Sequence, residues 1–223
     1  MSAARRQSEA VRARASATRA ALVAAAVDVL RTEGFAAATA RHLAGRAGCN
    51  QGLVFYHFGT VNNLLLAAMD EVSAERRARY DAATAAVRSP GELVELAVRI
   101  FSEDIASGDA ALLVEMIAGS VSTPELGAAV RARVEPWSEF ATDALRSAFS
   151  SSPLLGLVGA EELADAVVAL YLGLELLSHL DGDTTKAIAV FEKARSLSAL
   201  ADLLAPGTKT ESHDGAARPL RDQ

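Results

Sequence analysis

The sequence predicts an all-α protein in two parts, a short three-helix head followed by a longer six-helix body. Three observations carry this. Apolar residues recur at spacings of three and four rather than two, with Ala, Val and Leu dominant and aromatics only 5% of the chain. Capping residues, glycines and prolines break the pattern at helix-length intervals. Charge is also divided: residues 1–60 hold eight arginines against Glu9, Asp28 and Glu33, whereas the remainder holds 14 basic and 25 acidic residues. With 223 residues and 51% hydrophobic content, a disordered chain is excluded and a buried core is expected.

Residues 1–16 are polar and arginine-rich with no apolar stripe, and are expected to form a flexible basic arm. A first helix begins near Thr18, carries Leu22, Ala25, Ala26, Val29 and Leu30 on one face, and stops at Gly34, beyond which Phe35 turns back into the core. Thr39 caps a short second helix holding Leu43 and Ala44, which ends at Ala47-Gly48. Asn50 can cap a third helix over Gln51–Tyr56, and Thr60 caps a long fourth one reaching about Val87. Two short helices joined through a glycine form a helix-turn-helix, so residues 17–60 are the head and 61–205 the body.

The body is punctuated throughout. Ser89-Pro90-Gly91-Glu92 combines a capping box with a proline at the first helical position; it opens a helix with Leu96, Ile100, Phe101 and Ile105 on one face, closed by Ser107-Gly108. Asp109 can cap the next helix, which holds Leu112, Leu113, Met116 and Ile117, and Thr123-Pro124 starts a longer one through Val130, Trp137, Phe140 and Phe149. After a break at Ser150–Pro153 come Glu161–Leu180 and Thr184–Leu204, separated by Asp181-Gly182-Asp183. Residues 206–223 form a polar tail expected to be disordered.

A cationic head on an acidic body suits a protein that approaches phosphate with one end only. Catalysis finds little support. His42, His57, His179 and His213 have no metal-ligand spacing, and neither a nucleophile elbow nor a phosphate-binding glycine loop occurs, so neither enzyme activity, a metal nor a cofactor is expected. Cys49 stands alone, and the arginine-bearing N-terminus lacks a signal-peptide apolar stretch, so a cytoplasmic protein is expected. The apolar run Ala166–Leu180 is interrupted by Glu175 and His179 and is read as a buried helix rather than a membrane anchor.

Within Thr18–Leu64, the ordered set Ala25-Ala26, Gly34-Phe35, Thr39, Leu43-Ala44, Ala47-Gly48, Gly52, Phe55-Tyr56 and His57-Phe58 resembles the tetracycline-repressor-like (TetR) family of bacterial regulators. The resemblance implies a homodimer on double-stranded, near-palindromic operator DNA, each recognition helix in a major groove. Asn50 and Gln51 offer amides to base edges, Leu53 or Val54 a methyl contact to thymine, and Gly52 close backbone approach. Tyr56 and His57 resemble the family's phosphate-holding positions, while Thr39, Arg41, Arg46 and the start of helix four at Thr60 are further candidates. Two positions depart from the family: Phe55 stands where a Tyr is usual, and Val61 where a Lys is frequent, removing a hydroxyl donor and a cation. Cys49, where the family has a small aliphatic residue, reads as a buried small hydrophobe, with a redox-sensing thiol as the alternative.

The resemblance also implies an effector pocket between about Leu93 and His179, for which Phe101, Ile105, Met116, Trp137, Phe140, Tyr171, Glu175 and His179 are the candidates. The lack of a regular charged stripe points to an apolar or amphipathic small molecule. Helix Glu161–Leu180 has leucines on two sides, so one face is expected to join Thr184–Leu204 (Ile188, Phe191, Leu197, Leu200) in a four-helix dimer interface. Repressor is the role the resemblance favours; an activator and an effector-free architectural DNA binder remain alternatives.

Overall fold

The computed structural model describes residues 3–121, 123–150 and 155–204, and all regular structure among them is helical. The head comprises α1 (Ala3–Thr32), a single 3-10 turn at Phe35–Ala37, α2 (Ala40–Arg46) and α3 (Gly52–Phe58). The body comprises α4 (Val61–Ala85), α5 (Pro90–Ser107), α6 (Asp109–Ser120), α7 (Pro124–Ala148), the one-turn α8 (Leu155–Val158), α9 (Ala160–Asp181) and α10 (Thr185–Leu204). The six long body helices are those expected; α8 is the addition. The expected polar tail, 206–223, and residues 151–153 of the expected break lie outside the described residues.

The caps work largely as their chemistry dictates. Thr39, Thr60 and Ser89 each accept a hydrogen bond from the backbone N–H three residues on, at 3.1–3.2 Å. Glu92 reaches back to the N–H of Arg88 at 2.7 Å rather than to that of Ser89. Gly108 closes α5 in the left-handed region with φ 79°, where a side chain would be strained.

Three expectations are corrected. The proposed flexible arm is not one: α1 runs unbroken from Ala3, because that segment contains good helix formers and neither Gly nor Pro. Helix therefore propagates outward from the turn fixed by Leu22 and Val23, aided by an Arg5–Glu9 pair at 3.4 Å. Asp109 does not cap α6; it is the first helical residue, almost fully buried, and its carboxylate pairs with Arg31 of α1. Finally, α3 is displaced to Gly52–Phe58, with Asn50 accepting the N–H of Gly52 at 2.8 Å.

The main core crosses the boundary between head and body. Leu22, Val29, Leu43, Val54 and Leu65 pack in one continuous cluster with Leu112 and Met116 of α6 and Leu126 and Val130 of α7. Two smaller clusters lie deeper in the body, around Tyr80, Leu96 and Ile100, and around Phe101, Leu174 and Ala187. α9 is buried along Ala164, Leu174, Glu175 and Ser178, but Val167, Leu170, Leu176, Leu177 and Leu180 stay exposed. It is long and apolar enough to cross a membrane by length and composition, and the expectation of a wholly buried helix is not met within one chain.

Candidate nucleic-acid interface and internal cavity

α3 is held from behind. Val54 is fully buried, Leu53 and Phe58 pack partly against the core, and Leu43 and Ala44 fix α2 against the same cluster. Gly48, at φ 66°, makes the turn between them. The outward face then consists of Gln51, Gly52, Phe55 and Tyr56, recurring at helical spacing, with Phe55 50% and Tyr56 77% exposed. Large aromatics so exposed on a short helix are uncommon unless a partner covers them. Val54 is thereby removed as a thymine contact and Leu53 is turned largely inward.

Gly59, at φ 75°, ends α3, and Asn63 donates from Nδ2 to the carbonyl of Phe58 at 2.8 Å, tying the end of α3 to the start of α4. Thr60 is exposed beside it, whereas Val61 is half-buried against the core. His57 is half-buried and meets the Tyr56 ring edge-on at 4.9 Å between centroids. On α2, Thr39 and Arg41 are exposed, but Arg46 is engaged by Asp28 at 2.9 Å and Glu33 at 3.0 Å. Thr39, Arg41, His42 and Arg46 line a shallow surface depression. Cys49 is half-buried against the core.

A residue outside the expected set joins this surface. The Arg19 guanidinium lies 5.0 Å from the centre of the Phe58 ring at the end of α3. Arg5, Arg12 and Arg19 recur every seven residues, so on α1 they fall along one stripe leading outward from α3. The seven-residue spacing was available in the sequence, but a segment read as a flexible arm has no faces.

The body contains a cavity of about 1090 Å³, open mouth included, walled by α4, α5, α6, α7 and α9. Trp137, Phe140 and Tyr171 line it together with Leu96, Leu112 and Val168. Phe101 and Ile105 instead pack on the far side of Tyr171, Phe101 with its ring 5.8 Å from that of Tyr171 and 5.3 Å from that of Phe191. Met116 is fully buried in the main core, and His179 is exposed on the surface.

The inner wall of the cavity is charged. Arg76 and Asp109 line it, Arg76 pairs with buried Asp104 and stacks on Trp137 at 4.5 Å, and Tyr171 donates to Asp104 at 2.6 Å. Glu175, one turn along α9 from Tyr171, is fully buried and neither of its oxygens has a hydrogen-bond partner. Burial, with Arg76 opposing and Asp104 adding, pushes its carboxyl up to about 8. Burial likewise raises Asp104 against the pull of Arg76.

The charged wall also touches the head. Arg31 of α1 pairs with Asp109, and Glu115 of α6 accepts the backbone N–H of Phe35 at 2.8 Å. The Phe35 ring lies flush on Gly119, where a Cβ would come within 2.5 Å of it. α6 therefore walls the cavity with Asp109, Leu112 and Leu113 and holds the head through Asp109, Glu115 and Gly119, Asp109 serving both.

Comparison with known proteins fits this arrangement. Residues 22–68 match the model of the bacterial regulatory proteins, tetR family. No curated protein matches the chain in sequence. Among solved structures, the multidrug binding protein EbrR complexed with imidazole is 25% identical, with a TM-score of 0.59 over 86% of this chain and 97% of its own. A TetR-family member from Streptomyces coelicolor A3 is 23% identical, with a TM-score of 0.59 over 85% and 99%. FadR from Bacillus subtilis, in complex with stearoyl-CoA, is 14% identical, with a TM-score of 0.64 over 79% and 95%. Residues 22–68 thus carry the domain that the tetR family model of bacterial regulatory proteins describes, and the helices behind it share the fold of solved TetR-family members.

Proposed function

We propose that the chain is a ligand-responsive transcriptional repressor that binds a near-palindromic operator as a homodimer and is released by a small molecule with an apolar body. The observation carrying this is that a helix-turn-helix head with an outward face of Gln51, Gly52, Phe55 and Tyr56 shares one core with α6, a wall of the internal cavity. A ligand that favours one position of α6 favours one position of the head. Gln51 is the base reader in this reading, while Tyr56, His57, Arg41 and Thr60 hold phosphates. The proposed effector sites are Trp137, Phe140 and Tyr171. EbrR as a multidrug binding protein and FadR with stearoyl-CoA show that this fold accommodates small molecules in other chains.

The proposed second copy sits on α9 and α10, where Leu170, Leu177, Ile188 and Leu197 are exposed. Together they make an apolar face of the kind that closes a four-helix interface; Leu200, expected to join it, has no described side chain. Burying α9 in this way makes it an interface helix of a cytoplasmic protein rather than a membrane span. Replacing Leu177 by Glu is expected to convert the dimer to a monomer in light scattering and to abolish operator binding while helicity is kept. A wild-type monomer at micromolar concentration would overturn the assignment.

Selection of bound fragments from genomic DNA, followed by footprinting, tests the function. A protected palindrome with half-site centres about 34–36 Å apart or slightly more supports it. Protection without sequence preference indicates an architectural binder, and increased transcription of the adjoining gene on binding indicates an activator.

A further inference from the structure

Resting on the reading of the cavity as an effector site, the charged inner wall identifies the chemical class of the effector. Arg31 is matched by Asp109 and Arg76 by Asp104, which leaves the Glu175 carboxyl as the one acid of this cluster without an ionic partner. It does not itself line the cavity but is fully buried beside two residues that do, Tyr171 and Arg76, and both its oxygens lack a hydrogen-bond donor. A buried acceptor left unsatisfied is costly and is normally paired with something. Nothing else in the described chain supplies a donor to it.

The rest of the cavity is lined chiefly by apolar and aromatic side chains. A ligand that fits must therefore pair a hydrophobic body with one polar head at the inner end. An anionic head is disfavoured. Of the two cations in the lining, Arg133 is held by both oxygens of Asp70, and Arg76 retains a free Nε but is opposed by Asp104 and covered by Trp137, so an anion would face Asp109 in the wall with Asp104 and Glu175 buried beyond it. A cation satisfies the one acid that lacks a partner.

We infer that the effector is an amphipathic cation, an ammonium or amidinium on an apolar body, and that Glu175 is its counter-charge. Glu175 keeps its proton at neutral pH while the cavity is empty, since burial pushes it up to about 8. Binding of a permanent cation ionises it and releases that proton. The groups facing it are Arg76 on α4, Asp104 on α5, Asp109 on α6 and Tyr171 on α9; Arg76 stays charged and the Tyr171 hydroxyl, raised by burial, stays protonated.

Three probes with one apolar body separate the alternatives: decyltrimethylammonium, decanol and decanoate, titrated into the full-length protein calorimetrically below their micelle concentrations. The cation is expected to bind about tenfold tighter than decanol at pH 8, the size of one charge-assisted contact. At pH 7, buffers of differing ionisation enthalpy should show close to one proton released per cation bound and none per decanol. In Glu175→Gln the preference should fall within about twofold and the proton release should vanish, with decanol affinity reporting that the cavity is intact. The proton count needs only the wild-type protein, so it decides the matter even if that variant fails to fold. Binding of decanol with no preference for the cation, or tighter binding of decanoate, overturns the cation assignment and leaves the effector reading standing. Failure of all three probes to bind overturns both.

Discussion

Val61 occupies the first turn of α4 beside exposed Thr60, but its side chain is half-buried against the core. A lysine there can lay its methylene stem along the same apolar surface and extend its ammonium toward phosphate. Val61→Lys is expected to steepen the log–log salt dependence of operator binding by about 0.9 and to cost about 1 kcal/mol of stability through lost packing and a cation at a helix N-terminus. Binding at several salt concentrations and urea unfolding check the two effects; an unchanged slope would place α4 away from the backbone. Glu175 yields a prediction about the protein without ligand. Its carboxyl rises from 4.5 to about 8 on folding, so between those values the folded state holds a proton that the unfolded state has lost. Stability therefore falls as pH climbs through that window, and Glu175→Gln should flatten the fall in unfolding midpoints measured from pH 5 to pH 9. The legibility of such residues follows the range of their interactions. Thr39, Thr60 and Ser89 act on N–H groups three residues away and could be read directly. Asp109, also read as a cap, is committed to Arg31 78 residues distant, and Arg46, read as a candidate phosphate contact, is held by Asp28 and Glu33; neither partnership leaves a local pattern.

At the scale of elements, periodicity and punctuation revealed nearly every helix, because each long one buries a stripe and stops at a Gly, Pro or capping residue. What they could not reveal is helix that buries nothing. Residues 5–14 of α1 are exposed throughout, including Val11 at 65%, so no apolar stripe announces them. The consequence is mechanical: at 1.5 Å per residue the expected arm, helical from Ala3, is a rod of about 20 Å rather than a loose chain. Its arginines therefore hold fixed positions. With Arg19 seated on Phe58, the stripe Arg5–Arg12–Arg19 extends from the end of the recognition helix. Replacing all three by Ala should lower the salt slope by up to about 2.7, at roughly 0.9 per phosphate contact, and weaken operator and nonspecific DNA alike. An insertion of two alanines between Arg12 and Arg19 would rotate the outer two by about 200°. It should reproduce much of that loss without removing a charge, an outcome a flexible arm would not show.

For the whole molecule, the consequential fact is that head and body share one core, with α6 common to the cavity and to the head. Beyond that shared core, three specific contacts tie α6 to the head: the ion pair Arg31–Asp109, the hydrogen bond from Phe35 to Glu115, and the Phe35 ring against Gly119. Such a contact has discrete arrangements because packed side chains do not deform gradually. Gly119 is the sharpest place to test it. A Cβ there would stand 2.5 Å from the Phe35 ring, so Gly119→Ala must displace the 3-10 turn or α6, an overpacking cost of about 1–3 kcal/mol. Helix propensity favours the alanine by roughly 1 kcal/mol, so the net loss of stability should be small while the position of the head changes. Operator affinity should then fall severalfold without ligand, and the further decrease caused by a cavity ligand should shrink, because the variant already occupies part of the way to the released arrangement. Footprinting titrations with and without decyltrimethylammonium measure both quantities. If Gly119→Ala left affinity and ligand response unchanged, this contact would be packing alone and the coupling would have to run through α4. Trimming the ring in the double variant Gly119→Ala with Phe35→Leu should restore both, which ties the effect to that one contact rather than to a general loosening of the fold.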